Sequence, residues 1–393
     1  MIAKAIISIL ITILLPDAYL CWRFLRRRSW WVWLLWLVPG LCLAGWAVRL
    51  ALQPGFVGDS AAEVEAFLLV FALFAAPKAL FALCSLAGRA VASVVPLRKG
   101  RRRRNYGNLV GLVVALMAVY IVLYGAFVGF YDLQVRRVEV RFSDLPPAFD
   151  GYRIVHFSDA HVGTLRGARQ RLLRSTVDSI LAQNPNLIAF TGDLQNTEPQ
   201  DLYPHLDQLA RLHAPDGVYA ILGNHDYDMY IAPDTDPATR VANCRETARL
   251  ERHLGWTLLN NANHRVERHG NASIVIAGME NDGQGRFPQL GSVQQALSGV
   301  GPDDFVVMLE HDPTSWRRKI LSESHAQLTL SGHTHGAQFS LLGWSPASLT
   351  YKEWGGLYQQ GNRCLNVTVG MGALIPFRFG MPPEIVVITL RKQ

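Results

Sequence analysis

The sequence predicts two parts, an N-terminal group of transmembrane helices followed by a domain with an α/β sandwich fold. Half of the 393 residues are apolar, and the long uncharged runs lie before Tyr131. All twelve histidines lie between His156 and His335, in the more polar part of the chain. In that part short β-rich runs alternate with helical patterns, which is typical of α/β folds with buried sheets. We therefore expect a membrane anchor and a separate domain that carries the chemistry.

The anchor is predicted over residues 1–131, with about four spans. A spanning helix needs about 20 mostly apolar residues, because only a helix satisfies its own backbone groups in a bilayer. The first stretch contains Lys4 and Asp17, so an uncleaved signal anchor or an interfacial helix is an alternative for it. Lys78 lies inside the third span, where we expect it to pair with Asp17, Glu63 or Glu65, or to extend to the interface. The predicted spans are residues 2–20, 30–50, 66–88 and 109–131.

Much of the net charge of +7 comes from basic clusters that flank these apolar runs. Such clusters are more often topology signals than nucleic-acid sites, and the chain has no zinc-finger spacing or basic-aromatic RNA-binding motif, which disfavours nucleic acid as a partner. Because cytoplasmic loops are enriched in Lys and Arg, the clusters at residues 23–28 and 98–104 are predicted inside. The loop 51–65 has no Lys or Arg and is predicted outside. The second domain would then be extracytoplasmic, on a multi-pass protein of the cell membrane.

The elements of the second domain follow a linker and first strand over residues 132–152. The runs predicted as strands are residues 153–157, 187–190, 217–222, 273–277, 305–309, 327–330, 365–369 and 385–390. The stretches predicted as helices are residues 169–182, 202–213, 238–253, 293–297 and 315–321. Cys244 and Cys364 lie in this polar part, and a disulfide between them is compatible with an oxidising compartment.

Five of the predicted strands end in polar signatures, and ligands of α/β sheets gather beyond the carboxyl ends of strands. Carboxylates, amides and imidazoles together are the ligands of borderline divalent metals, whereas an all-oxygen site would favour Mg or Ca. One His-x-His occurs easily by chance, but five such signatures in one domain predict a metal centre. They are Ser158-Asp159-Ala160-His161, Thr191-Gly192-Asp193, Gly223-Asn224-His225-Asp226, Glu310-His311-Asp312-Pro313 and Gly332-His333-Thr334-His335-Gly336.

This ordered set of motifs resembles the calcineurin-like metallophosphoesterase superfamily over about residues 135–393. The stretch 151–161 and the tail 376–385 are most similar to its membrane-attached, extracytoplasmic bacterial branch. The resemblance implies a four-layer α/β/β/α sandwich over residues 153–393 and a hydrolase that acts on phosphoric ester bonds. It also implies two divalent metal ions, Mn, Fe or Zn, which would activate a hydroxide for attack on phosphorus.

The resemblance assigns roles to nine residues. One metal would be held by Asp159, His161 and His335, the second by Asn224, His311 and His333, and Asp193 would bridge both. His225 would protonate the leaving oxygen, and Asp226 would orient or support its imidazole. The chain departs from the family at Asn196, where a carboxylate is frequent, and at Ala337, where a glycine is frequent. Neither departure removes an expected ligand.

The motifs leave the substrate open between a phosphorylated small molecule and a lipid-linked phosphate. Residues 341–358 are rich in aromatic and apolar side chains and follow the last expected ligands. They could lie near the bilayer and admit a lipid-linked substrate, or they could cap the core of the sandwich. A membrane-anchored binding or sensor module with the same fold and no activity is an alternative function, against which the intact ligand set argues. A transporter or channel has only Lys78 in its favour, and the sequence does not determine the oligomeric state.

Overall fold

The computed structural model describes residues 2–53, 59–94, 104–230, 235–268 and 272–393. The chain forms two compact units, Met1–Ala126 and Phe127–Gln393. Residues 98–103 of the predicted basic loop lie outside the described residues, as do residues 54–58 of the loop predicted on the other side.

Four apolar helices are found among the described residues of the first unit, and each is long and apolar enough to cross a membrane. The first helix continues into a π-helical turn, Cys21–Leu25, so its apolar stretch extends beyond Asp17 and is long enough to span. The predicted order of N-terminal spanning helices followed by an α/β domain is thereby confirmed. The helices are α1 (Ile2–Leu20), α2 (Trp30–Leu52), α3 (Asp59–Val94) and α4 (Gly107–Phe127).

One ion pair connects α1 and α3, and α2 packs against it. Lys78 Nζ of α3 donates to Asp17 Oδ1 of α1 at 2.6 Å, and both side chains are largely shielded. The same ammonium lies 3.9 Å from the ring centroid of Phe74. On α2, a Cβ at Gly40 would collide with the Asp17 carboxylate, so glycine allows the helices to approach closely there. Lys78 therefore faces the bundle and pairs with Asp17, the first of the partners expected for it.

Twelve strands are found among the described residues of the second unit, in two six-stranded sheets. The strand order is β1-β12-β2-β3-β4-β5 in sheet 1 and β10-β11-β9-β8-β7-β6 in sheet 2, with most neighbours parallel. The strands are β1 (Gln134–Phe142), β2 (Arg153–Phe157), β3 (Leu187–Phe190), β4 (Val218–Ala220), β5 (Thr257–Leu258), β6 (Ala262–Arg268), β7 (Ala272–Gly278), β8 (Phe305–Leu309), β9 (Leu328–Ser331), β10 (Gly356–Gln360), β11 (Arg363–Val367) and β12 (Glu384–Lys392).

The alternation of side chains along the strands gives the unit its layers. In β2, Ile154 faces the core between the sheets, whereas Val155 faces a core shared with α5 (Gln170–Ala182). In β8, Val307 faces the inter-sheet core and Val306 packs in a third core with Trp316. Because successive side chains of a strand point to opposite faces, both sheets are apolar on both sides. Helices therefore cover the outer faces, and the four-layer α/β/β/α sandwich is confirmed.

Differences from the predicted elements are concentrated at the edges of the sheets. The strands β6 and β10 lie at the edges of sheet 2 and are largely polar and exposed, so they lack the apolar run that identifies a strand. A helix predicted over residues 202–213 is wrong: two 3₁₀ turns precede a single α-helical turn, α6 (Leu206–Leu209). Pro204 explains this, because its missing N–H interrupts a helix interior.

The remaining helices lie close to their predicted positions. They are α7 (Pro237–His253), α8 (Val293–Ala296) and a π-helical turn, Trp316–Ile320, that leads into α9 (Leu321–Glu323). Asp236 caps α7 by accepting hydrogen bonds from the backbone of Ala238 and Thr239. Cys244 and Cys364 are both free thiols.

Candidate metal centre

The polar signatures lie on loops that leave the carboxyl ends of β2, β3, β4, β8 and β9, drawn from both sheets. The backbone is left-handed at many of the expected ligands, a conformation that is uncommon for residues other than glycine and that clusters at functional sites. The residues with positive φ are Asp159 (52°), His161 (41°), Asp193 (61°), His333 (72°) and His335 (51°). The loops therefore hold these side chains in place at a cost in backbone energy.

Two glycines allow the loops to approach each other. A Cβ at Gly223 would collide with Asp193 Oδ1 and would lie 2.8 Å from His311 Cε1. A Cβ at Gly332 would collide with the Asp159 carboxylate. Any side chain at either position would therefore displace an expected ligand.

The first group of candidate ligands consists of Asp159, His161 and His335. His161 Nε2 lies 3.0 Å from His335 Nε2, which in turn lies 3.4 Å from Asp159 Oδ1. The Nδ1–H of His161 donates to the carbonyl oxygen of Gln195 at 3.2 Å, so its Nε2 lone pair faces the cluster. Burial lowers the pKa of His161 to about 3, which keeps this imidazole neutral.

The second group surrounds His311 Nε2. This atom lies 3.2 Å from Asn224 Oδ1, from His333 Nδ1 and from Asp193 Oδ2. His311 Nδ1 donates to the carbonyl oxygen of Thr191 at 2.6 Å, which fixes the ring and directs Nε2 inward. Asp193 Oδ2 is also 3.8 Å from His161 Nε2, so this carboxylate lies between the two groups.

The donor atoms of both groups fit divalent cations. Imidazole lone pairs, carboxylate oxygens and an amide oxygen face one another at these short distances, an arrangement that is repulsive unless a cation or shared protons lie among them. Oxygen and nitrogen donors without thiolate suit Zn, Mn or Fe. Three overlapping groups of side chains could each hold an ion: Asp159, His161 and His335; His161, Asp193 and His225; and Asp193, His311 and His333.

His225 is buried beside both groups. Its Nδ1–H donates to the carbonyl oxygen of Asn196 at 2.5 Å, and its ring stacks on Tyr230 with centroids 4.0 Å apart. Burial lowers the pKa of His225, although the Asp193 carboxylate opposes this. The ring is therefore held in one orientation, and Nε2 is the nitrogen that can gain or release a proton.

The expected contact of Asp226 with this imidazole is not found in the described structure. Its carboxylate instead accepts hydrogen bonds from the backbone N–H groups of Asp193 at 2.8 Å, Gly223 at 2.9 Å, Leu194 at 3.0 Å and Gln195 at 3.2 Å. The physical reason is that the loop after β3 presents unpaired N–H groups that a buried carboxylate can satisfy. Asp226 fixes the loops that carry Asp193 and Asn224, and the carbonyl of Asn196 orients His225.

Three polar side chains next to the ligands had no role assigned from the sequence. The Tyr351 hydroxyl lies 3.0 Å from His333 Nε2. The guanidinium of Arg378 is fully buried, donates to carbonyl oxygens including Val369 O at 2.7 Å, and lies 3.5 Å from His335 Nδ1. Gln195 Nε2 donates to the carbonyl oxygen of His225 at 3.0 Å. Tyr351 and Arg378 lie outside the motifs that contain the candidate ligands, so no local pattern identifies them. Gln195 closely follows Asp193.

Neighbouring polar residues have structural contacts. His156 is buried between Thr191 Oγ1 and Asn366 Nδ2, at 2.8 and 3.1 Å. Glu310 is buried and accepts a hydrogen bond from the backbone N–H of Asp282 at 3.0 Å. Asp312 Oδ2 lies 3.7 Å from His333 Nε2, beyond hydrogen-bonding distance.

Comparisons with known proteins divide the chain into the same two parts as the structure does, the apolar helices and the α/β domain. A family model described as "Calcineurin-like phosphoesterase" matches residues 152–337, and one described as "Probable Calcineurin-like phosphoesterase, transmembrane domain" matches residues 3–130. An uncharacterized metallophosphoesterase of Bacillus subtilis, YkuE, is 30% identical over 278 residues, which cover 68% of this chain and 89% of the relative.

Two further relatives have names that denote a transmembrane protein and a pyrophosphatase. A "Transmembrane protein with metallophosphoesterase domain" of Danio rerio is 28% identical over 72% of this chain and 62% of the relative. The "UDP-2,3-diacylglucosamine pyrophosphatase LpxG" of Chlamydia trachomatis is 25% identical over 62% of this chain and 85% of the relative.

Proposed function

This chain belongs to the calcineurin-like metallophosphoesterase family, and on that basis we propose that it hydrolyses a phosphate ester or phosphoanhydride with the help of two divalent cations. The observation that carries the proposal is the position of Asp193, whose Oδ2 lies within 3.8 Å of an imidazole nitrogen from each ligand group. A carboxylate between two such groups can bridge two ions. Residues 1–131 would serve as the anchor, residues 132–152 as linker and first strand, and residues 153–393 as the hydrolase domain.

Seven side chains would hold the cations in this proposal. When bound, Mn, Fe or Zn ions polarise phosphate oxygens and lower the pKa of water. Their ligands would be Asp159, His161 and His335 for one ion, Asn224, His311 and His333 for the other, and Asp193 for both.

His225 has the position of a general acid. Because its Nδ1 proton is held by the carbonyl oxygen of Asn196, Nε2 is the atom that can deliver a proton to the leaving oxygen. The lowered pKa of this buried imidazole makes its protonated form a better acid. Stacking on Tyr230 keeps the ring in one orientation during the transfer. Asp226 contributes indirectly, by holding the backbone of the loop that carries Asp193.

A lipid-linked substrate is the class we favour. The support is the membrane location of the chain, given by its four spanning helices, together with the name of the Chlamydia trachomatis relative, which denotes a pyrophosphatase of a diacylated sugar nucleotide. A phosphorylated small molecule is the alternative, and the two are separated by comparing rates on both.

The hydrolase domain is proposed to lie on the extracytoplasmic side. The argument is the basic cluster after the first span, with Arg23, Arg26, Arg27 and Arg28, which favours a cytoplasmic position for that loop. Protease added to intact cells should then cleave the domain. Cleavage only after lysis would overturn the proposed orientation.

The proposal is tested on the full chain in detergent, loaded with Mn, Fe or Zn and measured for bound metal and for hydrolysis of a chromogenic phosphodiester, a phosphomonoester and a pyrophosphate. We expect about two ions per chain and activity on at least one substrate class. Bound metal without hydrolysis of any substrate would favour the silent binding module instead. An absence of bound metal and of hydrolysis would overturn the proposal.

A further inference from the structure

A short hairpin after the last ligand loop displays apolar side chains to solvent. Leu341 and Trp344 exchange both backbone hydrogen bonds, at 2.9 and 3.1 Å, around the central residues Leu342 and Gly343. Both central residues have positive φ, 51° and 82°, as in a type I′ turn. The Leu342 side chain is 100% exposed.

Leucine is an unfavourable choice for this turn if its surroundings are only water. Asn, Asp and Gly are preferred at positive φ, because they adopt left-handed backbone conformations with less strain. A fully exposed leucine gains nothing from burial that would offset that strain. Three neighbours are also exposed: Leu341 by 44%, Trp344 by 51% and Leu349 by 77%. We call Leu341, Leu342, Trp344 and Leu349 the apolar tip.

The apolar tip lies in an uncharged segment. Residues 336–351 contain no Asp, Glu, Lys, Arg or His. Exposed loops of soluble domains usually carry charges, whereas a leucine-rich turn with a tryptophan suits the boundary between water and lipid. The composition therefore favours a bilayer surface over a charged protein partner.

The apolar tip is fixed to the loops of the metal centre. Ser345 Oγ donates to the carbonyl oxygen of Gly336 at 2.6 Å, directly after the ligand His335. At the other end of the segment, the Tyr351 hydroxyl contacts His333 Nε2 at 3.0 Å. A surface that binds the apolar tip would therefore hold the two ligands of the His-x-His motif at a constant distance from that surface.

We propose that the apolar tip inserts into the interfacial layer of the bilayer that contains the chain's own spanning helices, and thereby holds the metal centre next to lipid-linked phosphates. We choose the bilayer as the partner of the apolar tip because the spanning helices already attach the chain to a bilayer. Only residues 128–133 connect α4 to β1. The interaction with lipid is independent of the proposed function, but its use for substrates rests on that function.

The contact with lipid is tested by fluorescence on the full chain in nanodiscs. The five native cysteines are replaced, and an environment-sensitive label is attached at Leu342→Cys or, as a matched control, at Arg174→Cys on the exposed face of α5. We expect a blue-shifted label at position 342 that spin-labelled lipids quench several-fold more than the control. Equal quenching at both positions would overturn the proposal. A blue shift that depends on protein concentration without lipid quenching would also overturn it, in favour of a second copy.

The consequence for catalysis is tested with Leu342→Asn and Leu342→Asp. Asn tolerates the left-handed backbone, so the turn should persist while its apolar side chain is lost. We expect about tenfold slower hydrolysis of a lipid-linked phosphate in nanodiscs and an unchanged rate on a soluble chromogenic diester. Unchanged rates on both substrates would overturn the role in holding the metal centre. If wild type hydrolyses neither substrate, the proposed function fails, while the quenching result still decides the lipid contact.

Discussion

Both units of the chain bury carboxylates, but they stabilise them in different ways. In the first unit Asp17 is paired with Lys78 at 2.6 Å, so the two formal charges cancel within the helices. In the second unit Asp159 and Asp193 are 0% and 2% exposed, and the ion pairs recorded for them are with imidazoles, at 3.2 to 3.8 Å. Burial lowers the pKa of His161 to about 3 and keeps that imidazole neutral, whereas at His311 burial is outweighed by the Asp193 carboxylate, which raises the pKa to about 10. The comparison indicates that Asp17 is balanced by a lysine, whereas Asp159 and Asp193 are balanced in part by a proton on His311, which would have to leave if a cation bound its Nε2.

The largest effect is expected from Asp193→Asn, which replaces the oxygen shared by both ligand groups. Because a bridging carboxylate contributes to both ions, we expect loss of at least one ion and a fall in kcat of about 10³-fold or more, equivalent to several kcal/mol of lost stabilisation. Bound metal and kcat are measured on the same preparation.

The same variant tests whether a proton on His311 balances Asp193 when no metal is bound. Mn should raise the unfolding temperature of wild type but have little effect on the variant, whereas the metal-free variant should be less stable than metal-free wild type, because it loses the pair between Asp193 and His311. Asp178→Asn, at an exposed carboxylate of α5, serves as the control that behaves as wild type. A variant that keeps both ions and full activity would contradict the comparison.

A comparable effect, on stability alone, is expected from Lys78→Met. Removal of one partner of a buried ion pair leaves the Asp17 carboxylate uncompensated, which costs about 3–5 kcal/mol. The double variant Asp17→Asn, Lys78→Met should recover much of that loss, and the metal content per folded chain should not change. Unfolding in mixed micelles with increasing SDS gives the free energies. Equal destabilisation in the single and double variants would show that the pair is not the cause.

For His225→Ala we expect kcat to fall by about 10²- to 10³-fold while the metal content stays nearly intact, as for loss of a general acid. The loss should be larger for esters with poor leaving groups than for a nitrophenyl ester, because a good leaving group needs no proton. His225 also lies in a group with His161 and Asp193 that could hold an ion. Equal losses of metal and activity would therefore identify His225 as a ligand and refute its assignment as the acid.

The smallest effect is expected from Tyr351→Phe. The Tyr351 hydroxyl lies 3.0 Å from His333 Nε2, and loss of such a contact to a metal-binding histidine weakens metal affinity by about tenfold. A metal titration monitored by recovered activity measures it. Tyr203→Phe removes an exposed hydroxyl that donates to Glu246, so it is the matched control. Identical titrations for the two variants would exclude a supporting role of Tyr351.

The sequence was sufficient for the layers of the fold and for the set of candidate ligands. Buried parallel strands such as β3 and β8 are continuous apolar runs, so their positions could be predicted to the residue. The seven candidate ligands lie in motifs of contiguous residues, and the structure brings all of them together.

Other features depend on contacts that no local pattern encodes. The edge strand β6 pairs along β7 but has polar side chains on both faces, so its sequence resembles that of a loop. Arg378 lies 43 positions from His335, and the proximity of their side chains arises only from the folding of the tail. The role of Asp226 could not be predicted either, because its partners are backbone N–H groups of a loop on another strand.

The position of β12 in sheet 1 limits the order in which the chain can fold. This strand lies between β1 and β2 and is hydrogen-bonded to both, in parallel to the first and antiparallel to the second. While residues 384–392 are still inside the ribosome, β1 has no neighbour in its sheet. The spanning helices precede it in the chain and can enter the membrane earlier. Sheet 1 can therefore be completed only after residues 384–392 have left the ribosome, at a time when the spanning helices are already free to insert.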